Sequence, residues 1–326
     1  MTKDAVLAIL RKENDYISGE HISRLLGVSR AAVNTAVKAL RAEGYEISSS
    51  TNKGYHLDAV PNSISAQELA AYLDEARMQT VECLASVDST NNRLRELALA
   101  GAPNGQVVLA NEQTQGKGRR GRAFASPQDN GIYLSILFHP DTLPTDIVEI
   151  TAWTAVATNN AIEEVCGVRA GIKWVNDLVI DRKKICGILT EMTMKQDKIG
   201  CAVIGVGINV NMDSFPEEMA DKATSLYLES GHLFDRAEVT GLVMKHFEEN
   251  YEKFVETEDL SGLKPDYEKL LANLNQPVRV LDQNDPYEGI ARGINAGGEL
   301  LVERADGTIE EVNSGEVSVR GLYSYV

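Results

Sequence analysis

Gly116-Lys117-Gly118-Arg119-Arg120-Gly121-Arg122 packs four cations and three glycines into seven residues of a chain whose formal net charge is −16. Cations this close repel one another, and the glycines between them raise the entropy cost of holding any one loop shape. An anion would order such a loop, because backbone N–H groups left uncovered by glycine, together with guanidinium forks, match phosphate and carboxylate oxygens. The stretch reads as an anion clamp that closes on its ligand. Its letters also satisfy Gly-x-Gly-x-x-Gly, but that dinucleotide fingerprint requires a strand turning directly into a helix. Here Val107-Val108-Leu109-Ala110 reads as a strand ahead of the loop, and the β-branched and aromatic run 132–138 follows it, so the loop joins two strands. A solvated basic loop is the other reading of a charge run, and the three interleaved glycines argue against it.

Upstream of the loop, residues 81–87 read as a strand that leads through Asp88-Ser89-Thr90-Asn91-Asn92 into a helix over 93–100, stopped by Gly101. Ser89 and Thr90 either cap that helix or present hydroxyls and free N–H groups to a polar ligand. Downstream, 147–165 is a long apolar helix closed by Gly167. Gly171-Ile172-Lys173-Trp174-Val175-Asn176-Asp177 ends a strand in a polar turn, and Asp181-Arg182-Lys183-Lys184 makes a hairpin into Ile185-Cys186-Gly187-Ile188-Leu189. Gly187 permits close backbone approach there, and the hairpin can aim a lysine into a cleft. Residues 202–211 form a buried strand in which Gly205 and Gly207 leave room on one face. Asn209, in apolar company, must be hydrogen-bonded, either to a core network or to a ligand.

At the N-terminus, a helical stretch over 5–11 is followed by a short helix over 19–26 that Ser18 can cap. Gly27 turns the chain, and Ser29 caps a third helix from Arg30 toward Glu43, with Gly44 as its stop. Helix, glycine turn and capped helix make a helix-turn-helix. Val33, Val37 and Leu40 face its core, leaving Arg30, Asn34, Thr35, Lys38 and Arg41 on the side that reads base edges and grips phosphates. Residues 45–57 read as two strands around Asn52-Lys53-Gly54, a winged hairpin. Residues 1–60 carry eight Lys/Arg and seven Asp/Glu, net +1 against −17 for the remainder, and 21–42 hold four cations and no acid. A local basic patch on an acidic chain points to a confined nucleic-acid contact. The alternative is a three-helix packing module without DNA.

The 326 residues, 43% hydrophobic and 25% charged, suit about two domains and an ample core. The first residues alternate charged and apolar types, so no secretory leader is expected, and no apolar run approaches the ~20 residues of a membrane span. Four scattered cysteines and five histidines that do not cluster near them suggest reduced, cytoplasmic usage and no zinc site. Ser65-Ala66-Gln67-Glu68 is a capping box opening a new helix just past a boundary near residue 60. Helices are expected near 237–254 and 262–273. From residue 276 the apolar period becomes two, which gives five short strands and a small barrel.

Together these motifs resemble those of the biotin protein ligases. The 116–122 loop resembles their Gly-Arg-Gly-Arg-Arg-Gly-Arg signature, and Lys173-Trp174-Val175-Asn176-Asp177 their Lys-Trp-Pro-Asn-Asp. Asp88-Ser89-Thr90-Asn91, residues 184–189 and Gly205-Val206-Gly207-Ile208-Asn209 follow in the family's order and spacing. With both terminal regions, the similarity extends over essentially the whole chain to the two-function members, ligase and biotin operon repressor in one polypeptide. The resemblance implies an α/β (α+β) multi-domain fold. Its parts are a winged helix-turn-helix over 1–60, a central mixed-sheet ligase domain resembling class II synthetases over 61–272, and an SH3-like β-barrel over 273–326.

The reaction implied is attack of biotin's carboxylate on the α-phosphate of ATP, with magnesium, to give biotinyl-5′-adenylate, then transfer to a lysine of a biotin carboxyl carrier domain. By the family pattern Ser89, Thr90, Asn91 and Gln113 hold biotin, Lys117, Gly118 and Arg119 close over it, and Arg119 and Lys184 do the catalytic charge work. Arg122, Phe124, Asn176 and Asn209 line the adenylate side. Lys173 and Asp177 join them or form a structural ion pair. Ser29, Arg30, Asn34, Thr35, Lys38 and Arg41 are the implied DNA contacts, on an operator bound by a homodimer, with biotin the precursor of the co-repressor. No protein metal site and no membrane partner are implied, and the expected compartment is the cytoplasm. Three positions depart from the pattern: Lys117 loses arginine's bidentate fork, Val175 in place of proline is expected to loosen its turn, and Phe124 replaces the tryptophan of some relatives. Two other readings fit the chain: a non-catalytic biotin-sensing regulator, and a lipoate or other acyl-adenylate ligase, which the loop disfavours.

Overall fold

The computed structural model describes residues 2–139, 147–195, 198–257, 259–281, 286–313 and 319–321. The chain divides into two compact units, Met1–Ser63 and Ile64–Val326.

The first unit holds helices α1 (Thr2–Lys12), α2 (Gly19–Leu26) and α3 (Arg30–Ala42), then strands β1 (Glu46–Ser50) and β2 (Gly54–Ala59), which pair antiparallel. Ser18 Oγ accepts the His21 N–H and Ser29 Oγ the Ala32 N–H, each at 3.1 Å, so both helices start on a side-chain cap that satisfies an orphan donor. Gly27, at φ 64°, makes the left-handed turn between them. Val6, Leu10, Ile22, Val33, Val37 and Leu40 form the core. Gly54, at φ 112°, could carry no side chain: a Cβ would collide with the Ile17 carbonyl, where residues 17 and 55 exchange two backbone bonds of 2.9 Å.

The second unit opens with α4 (Ala66–Leu69), whose start Ser65 caps by accepting the Glu68 N–H, and α5 (Glu75–Met78). Next come β3 (Val81–Leu84), α6 (Thr90–Leu99), β4 (Val107–Ala110), β5 (Gly131–Phe138) and α7 (Ile147–Cys166). Strands β6 (Gly171–Lys173), β7 (Asp177–Ile180), β8 (Lys183–Lys195) and β9 (Lys198–Asn209) follow. The seven strands form one mixed sheet in the order β3-β4-β5-β9-β8-β7-β6, parallel only between β3 and β4. Helices α8 (Leu226–Ser230), α9 (Arg236–Thr257) and α10 (Lys264–Leu270) complete the layer structure.

Period-two alternation sorts the central strands into two faces. Ile132, Leu134, Ile136, Ile204, Val206 and Ile208 pack with Trp153 of α7 and Phe247 of α9, whose rings lie 4.3 Å apart. The opposite face puts Leu137 and Val203 with Leu94 of α6, and further along β9 it carries Gly205 and Gly207 before Asn209. That bare stretch is where the site lies. The chain ends in an antiparallel sheet of β10 (Pro277–Val280), β11 (Tyr287–Ile294), β12 (Leu300–Glu303), β13 (Ile309–Val312) and β14 (Val319–Gly321), ordered β13-β12-β11-β10-β14.

Candidate active site and nucleic-acid interface

The floor of the cavity over this stretch is glycine. Gly187 of β8 and Gly207 of β9 are register partners, and Gly205 pairs with Leu189 on one side and with Ser135 of β5 on the other. A Cβ at Gly207 would stand 2.5 Å from the Phe124 ring, one at Gly187 would stand 2.8 Å from Lys184 Nζ, and one at Gly205 would strike Asn91 Oδ1. Two residues along a strand span ~7 Å, so Asn91 over Gly205 and Phe124 over Gly207 are neighbours above one surface. Ser89, Thr90, Asn91, Gln113, Lys117, Gly118, Arg119, Phe124, Asn176 and Lys184 all line this cavity.

At the Gly205 end the N-terminus of α6 supplies the polar groups. Sequence left Ser89 and Thr90 between capping and ligand binding; Ser89, although at the N-cap, makes no capping bond. The Gln113 side chain takes that part instead, its Oε1 accepting the Thr90 N–H at 2.9 Å while its Nε2 donates to Ser126 Oγ at 2.9 Å. Ser135 Oγ lies 2.7 Å from Thr90 Oγ1 and 2.6 Å from Asn91 Oδ1. Ser126, Ser135 and Glu191, which accepts from Asn91 Nδ2 at 2.8 Å, were not singled out from the sequence. The available signal was a polar residue interrupting an apolar strand.

At the Gly207 end the cations gather. The 116–122 loop is a short hairpin with one 3₁₀ turn, Arg119–Gly121. It is pinned by Gly118 N–H to the Arg122 carbonyl at 2.7 Å and by Phe124 N–H to the Gly116 carbonyl at 2.9 Å. It joins β4 to β5 and opens no helix, as the flanking residues implied. Arg119 Nη1 donates to Asn176 Oδ1 at 3.2 Å. Burial pushes the Arg119 guanidinium below its ordinary pKa; Asp177 opposes this, and Arg120 and Arg122 reinforce it. A guanidinium stays charged nonetheless, so a partly desolvated cation beside like charges is set up to receive an anion. Arg120 and Arg122 are exposed, and Arg122 lies outside the cavity lining. Lys117 Nζ reaches Asn92 Oδ1.

Lys184 enters on the β7–β8 hairpin, whose two turn residues Asp181 and Arg182 both have positive φ, the geometry of a tight two-residue turn. Its Nζ stands 2.5 Å from Asp177 Oδ1 and 5.8 Å from the Phe124 ring centre. Lys184 thus meets Asp177. Lys173 is buried and outside the cavity lining. Asn209 also lies outside that lining: its Nδ2 donates to the Thr224 carbonyl at 3.0 Å and to that of Lys184 at 3.4 Å, so the structure gives it a hydrogen-bonded network. Val175, which stands where the family pattern has proline, is buried, and the Trp174–Val175 peptide is cis. Trp174 donates its N–H to Asn273 Oδ1 at 2.8 Å and its indole Nε1–H to the Gly298 carbonyl at 3.0 Å, while Asn176 Nδ2 donates to the Ile188 carbonyl at 3.0 Å.

Three family models match the chain: a biotin/lipoate A/B protein ligase family over 83–209, a biotin protein ligase C-terminal domain over 274–320 and a helix-turn-helix domain over 2–56. The bifunctional ligase/repressor BirA of Bacillus subtilis (strain 168) is 35% identical over 322 residues, covering 98% of both chains. The chain belongs to the biotin protein ligase family. BirA of Escherichia coli (strain K12) is 30% identical over 96% of each chain. The biotin protein ligase of Aquifex aeolicus, solved in complex with biotin and ATP, is 33% identical and superposes with a TM-score of 0.67 over 74% of this chain and 98% of that one.

In this biotin protein ligase the first unit carries the second candidate site. Arg30, Asn34, Thr35, Lys38 and Arg41 of α3 are all exposed while Val33, Val37 and Leu40 are buried. Arg41 is tied to the hairpin, donating through Nε to the Ile47 carbonyl at 2.8 Å and through Nη2 to Ser49 Oγ at 2.7 Å. Ser29 is the cap of α3. Among the described residues no helix is long and apolar enough to cross a membrane.

Proposed function

We propose that this chain is an ATP-dependent biotin protein ligase, forming biotinyl-5′-AMP and passing biotin to a lysine of a carboxyl carrier protein, and a biotin-responsive repressor as well. The observation that carries the reading is the meeting of Arg119 and Lys184 with the Ser89–Thr90–Asn91–Gln113 cluster over one glycine floor. In this reading the bicyclic ring of biotin lies at the Gly205 end, its ureido group facing Ser89, Thr90, Asn91 and Gln113, with Lys117 and Gly118 above it. Its carboxylate then extends toward Gly207 and Gly187, where Arg119 and Lys184 offset its charge and that of the α-phosphate. Phe124, Asn176 and Arg122 take the adenylate side. Asn209 serves it by holding the Lys184 backbone against residue 224.

A carboxylate oxygen of biotin attacks the α-phosphorus, the bond to the β-phosphate bridge breaks, and pyrophosphate leaves. The acceptor lysine, as a neutral amine, then attacks the acyl carbon of the mixed anhydride, AMP departs with the C–O electron pair, and the nitrogen gives up a proton to solvent as the amide forms. No protein nucleophile is needed. The chain's work is bringing two anions together and stabilising the charge that builds on the phosphoryl oxygens. Magnesium enters this proposal with ATP. Among the described residues no group of three or more His, Cys, Asp or Glu could hold a metal ion, and Asp177 lies against Lys184.

For repression the exposed cations and amide of α3 would enter the major groove. Because one helix-turn-helix reads a half-site, two copies would bind a palindromic operator. Both activities would belong to the cytoplasm. The test is to mix protein, biotin, ATP and magnesium and measure pyrophosphate. Biotin-dependent release is expected, with biotin outcompeting lipoate. Biotin binding without release would favour the sensor, and preference for lipoate would favour the other ligase.

A further inference from the structure

The amide of Asn91 has no freedom to flip. Its Nδ2 donates to Glu191 Oε2 at 2.8 Å and to the Leu189 carbonyl at 3.4 Å, and an ionised carboxylate and a carbonyl are both acceptors only. A flipped amide would set oxygen against oxygen on two sides. Oδ1 is therefore turned toward Ser135 Oγ, 2.6 Å away, and over Gly205 on the cavity floor. The Ser135 hydroxyl occupies one lone pair of that oxygen and leaves the other for a ligand donor. Glu191 is oriented in turn. Arg95, one turn after Asn91 on α6, lies 3.2 Å from Glu191 Oε1 and donates to Asn92 Oδ1 at 3.1 Å, the oxygen that Lys117 of the loop also reaches.

The geometry points to Glu191 as a positioning residue that fixes Asn91 as a hydrogen-bond acceptor, so that the cavity selects a ligand carrying an N–H donor at that place, as a cyclic urea does. Glu191 does not itself line the cavity; it acts through the Asn91 amide. The inference rests on the cavity being the biotin site, so the test reads binding as well as turnover. Biotin and ATP affinities are measured separately by calorimetry on the wild-type chain, Glu191→Met and Glu191→Gln. Glu191→Met removes the acceptor at similar volume and is expected to weaken biotin about tenfold, the order set by an unpaired polar group in a binding site, with ATP affinity within about twofold. Glu191→Gln keeps an oxygen for Asn91 and is expected to stay within about threefold for biotin.

A wild-type chain that fails to bind biotin would sink the ligand reading itself. If the wild type binds, a folded Glu191→Met within twofold of it, or an equal loss for biotin and ATP, would overturn the role of Glu191. If the methionine variant does not fold, the glutamine variant decides. Retained biotin affinity supports acceptor geometry, and a tenfold loss would show that charge matters instead.

Discussion

Two cations were the most legible residues in the site, because Arg119 and Lys184 stand out by sign in a chain of net charge −16. Ser135 and Glu191 were not legible, since what makes them matter is contact with Asn91, 44 and 100 residues away in sequence. Asp177 was half legible: its charge was noticed, while its contact with Lys184 depends on the register that brings residue 177 opposite Gly187. Lys184 is a quarter exposed, so Lys184→Ala should leave the fold intact while removing a cation from the developing phosphoryl charge. Stopped-flow adenylate formation should slow by about 10²–10³-fold, the usual loss for one electrostatic stabiliser. Turnover within a few-fold of wild type would remove Lys184 from the chemistry.

Among the elements, local rules did well wherever a cap or turn is local. Ser18, Ser29 and Ser65 each accept the expected N–H three residues on, and Gly27 and Gly167 close their helices at positive φ. The helix expected from residue 93 in fact begins at Thr90. Its first N–H is capped by Gln113, 23 residues downstream, which no local pattern reveals. The two floor glycines of β9 give a paired test. Neither has a left-handed φ, so alanine is tolerated by the backbone and acts only through its Cβ. Gly205→Ala drives that methyl into Asn91 and should raise KM for biotin. Gly207→Ala drives it into Phe124 and should raise KM for ATP. Each effect is expected at about tenfold by analogy with other misplaced pocket contacts. Steady-state kinetics in which both variants raise both constants equally would contradict this division of the floor.

On the scale of the whole molecule, charge is partitioned: +1 over residues 1–60 and −17 over the remainder. An acidic body limits non-specific attraction to nucleic acid; in the proposed repressor, α3 and the hairpin of the first unit would do the sequence reading. If loop 116–122 is ordered by the acyl-adenylate and that ordering favours assembly, ligand and operator binding must be linked with the same coupling energy in both directions. A gel-shift titration should show two copies per palindromic site and tighter binding with biotin plus ATP; one copy per site, or indifference to ligand, would break the linkage. The claim underlying both activities is that the cationic, glycine-jointed loop closes over two anions on the glycine floor. A crystal structure with biotinyl-5′-AMP tests it directly. The account predicts the ureido ring over Gly205, the phosphoryl group between Arg119 and Lys184, and residues 116–122 lying across the ligand. A ligand bound elsewhere, or a loop directed into solvent above it, would contradict the account.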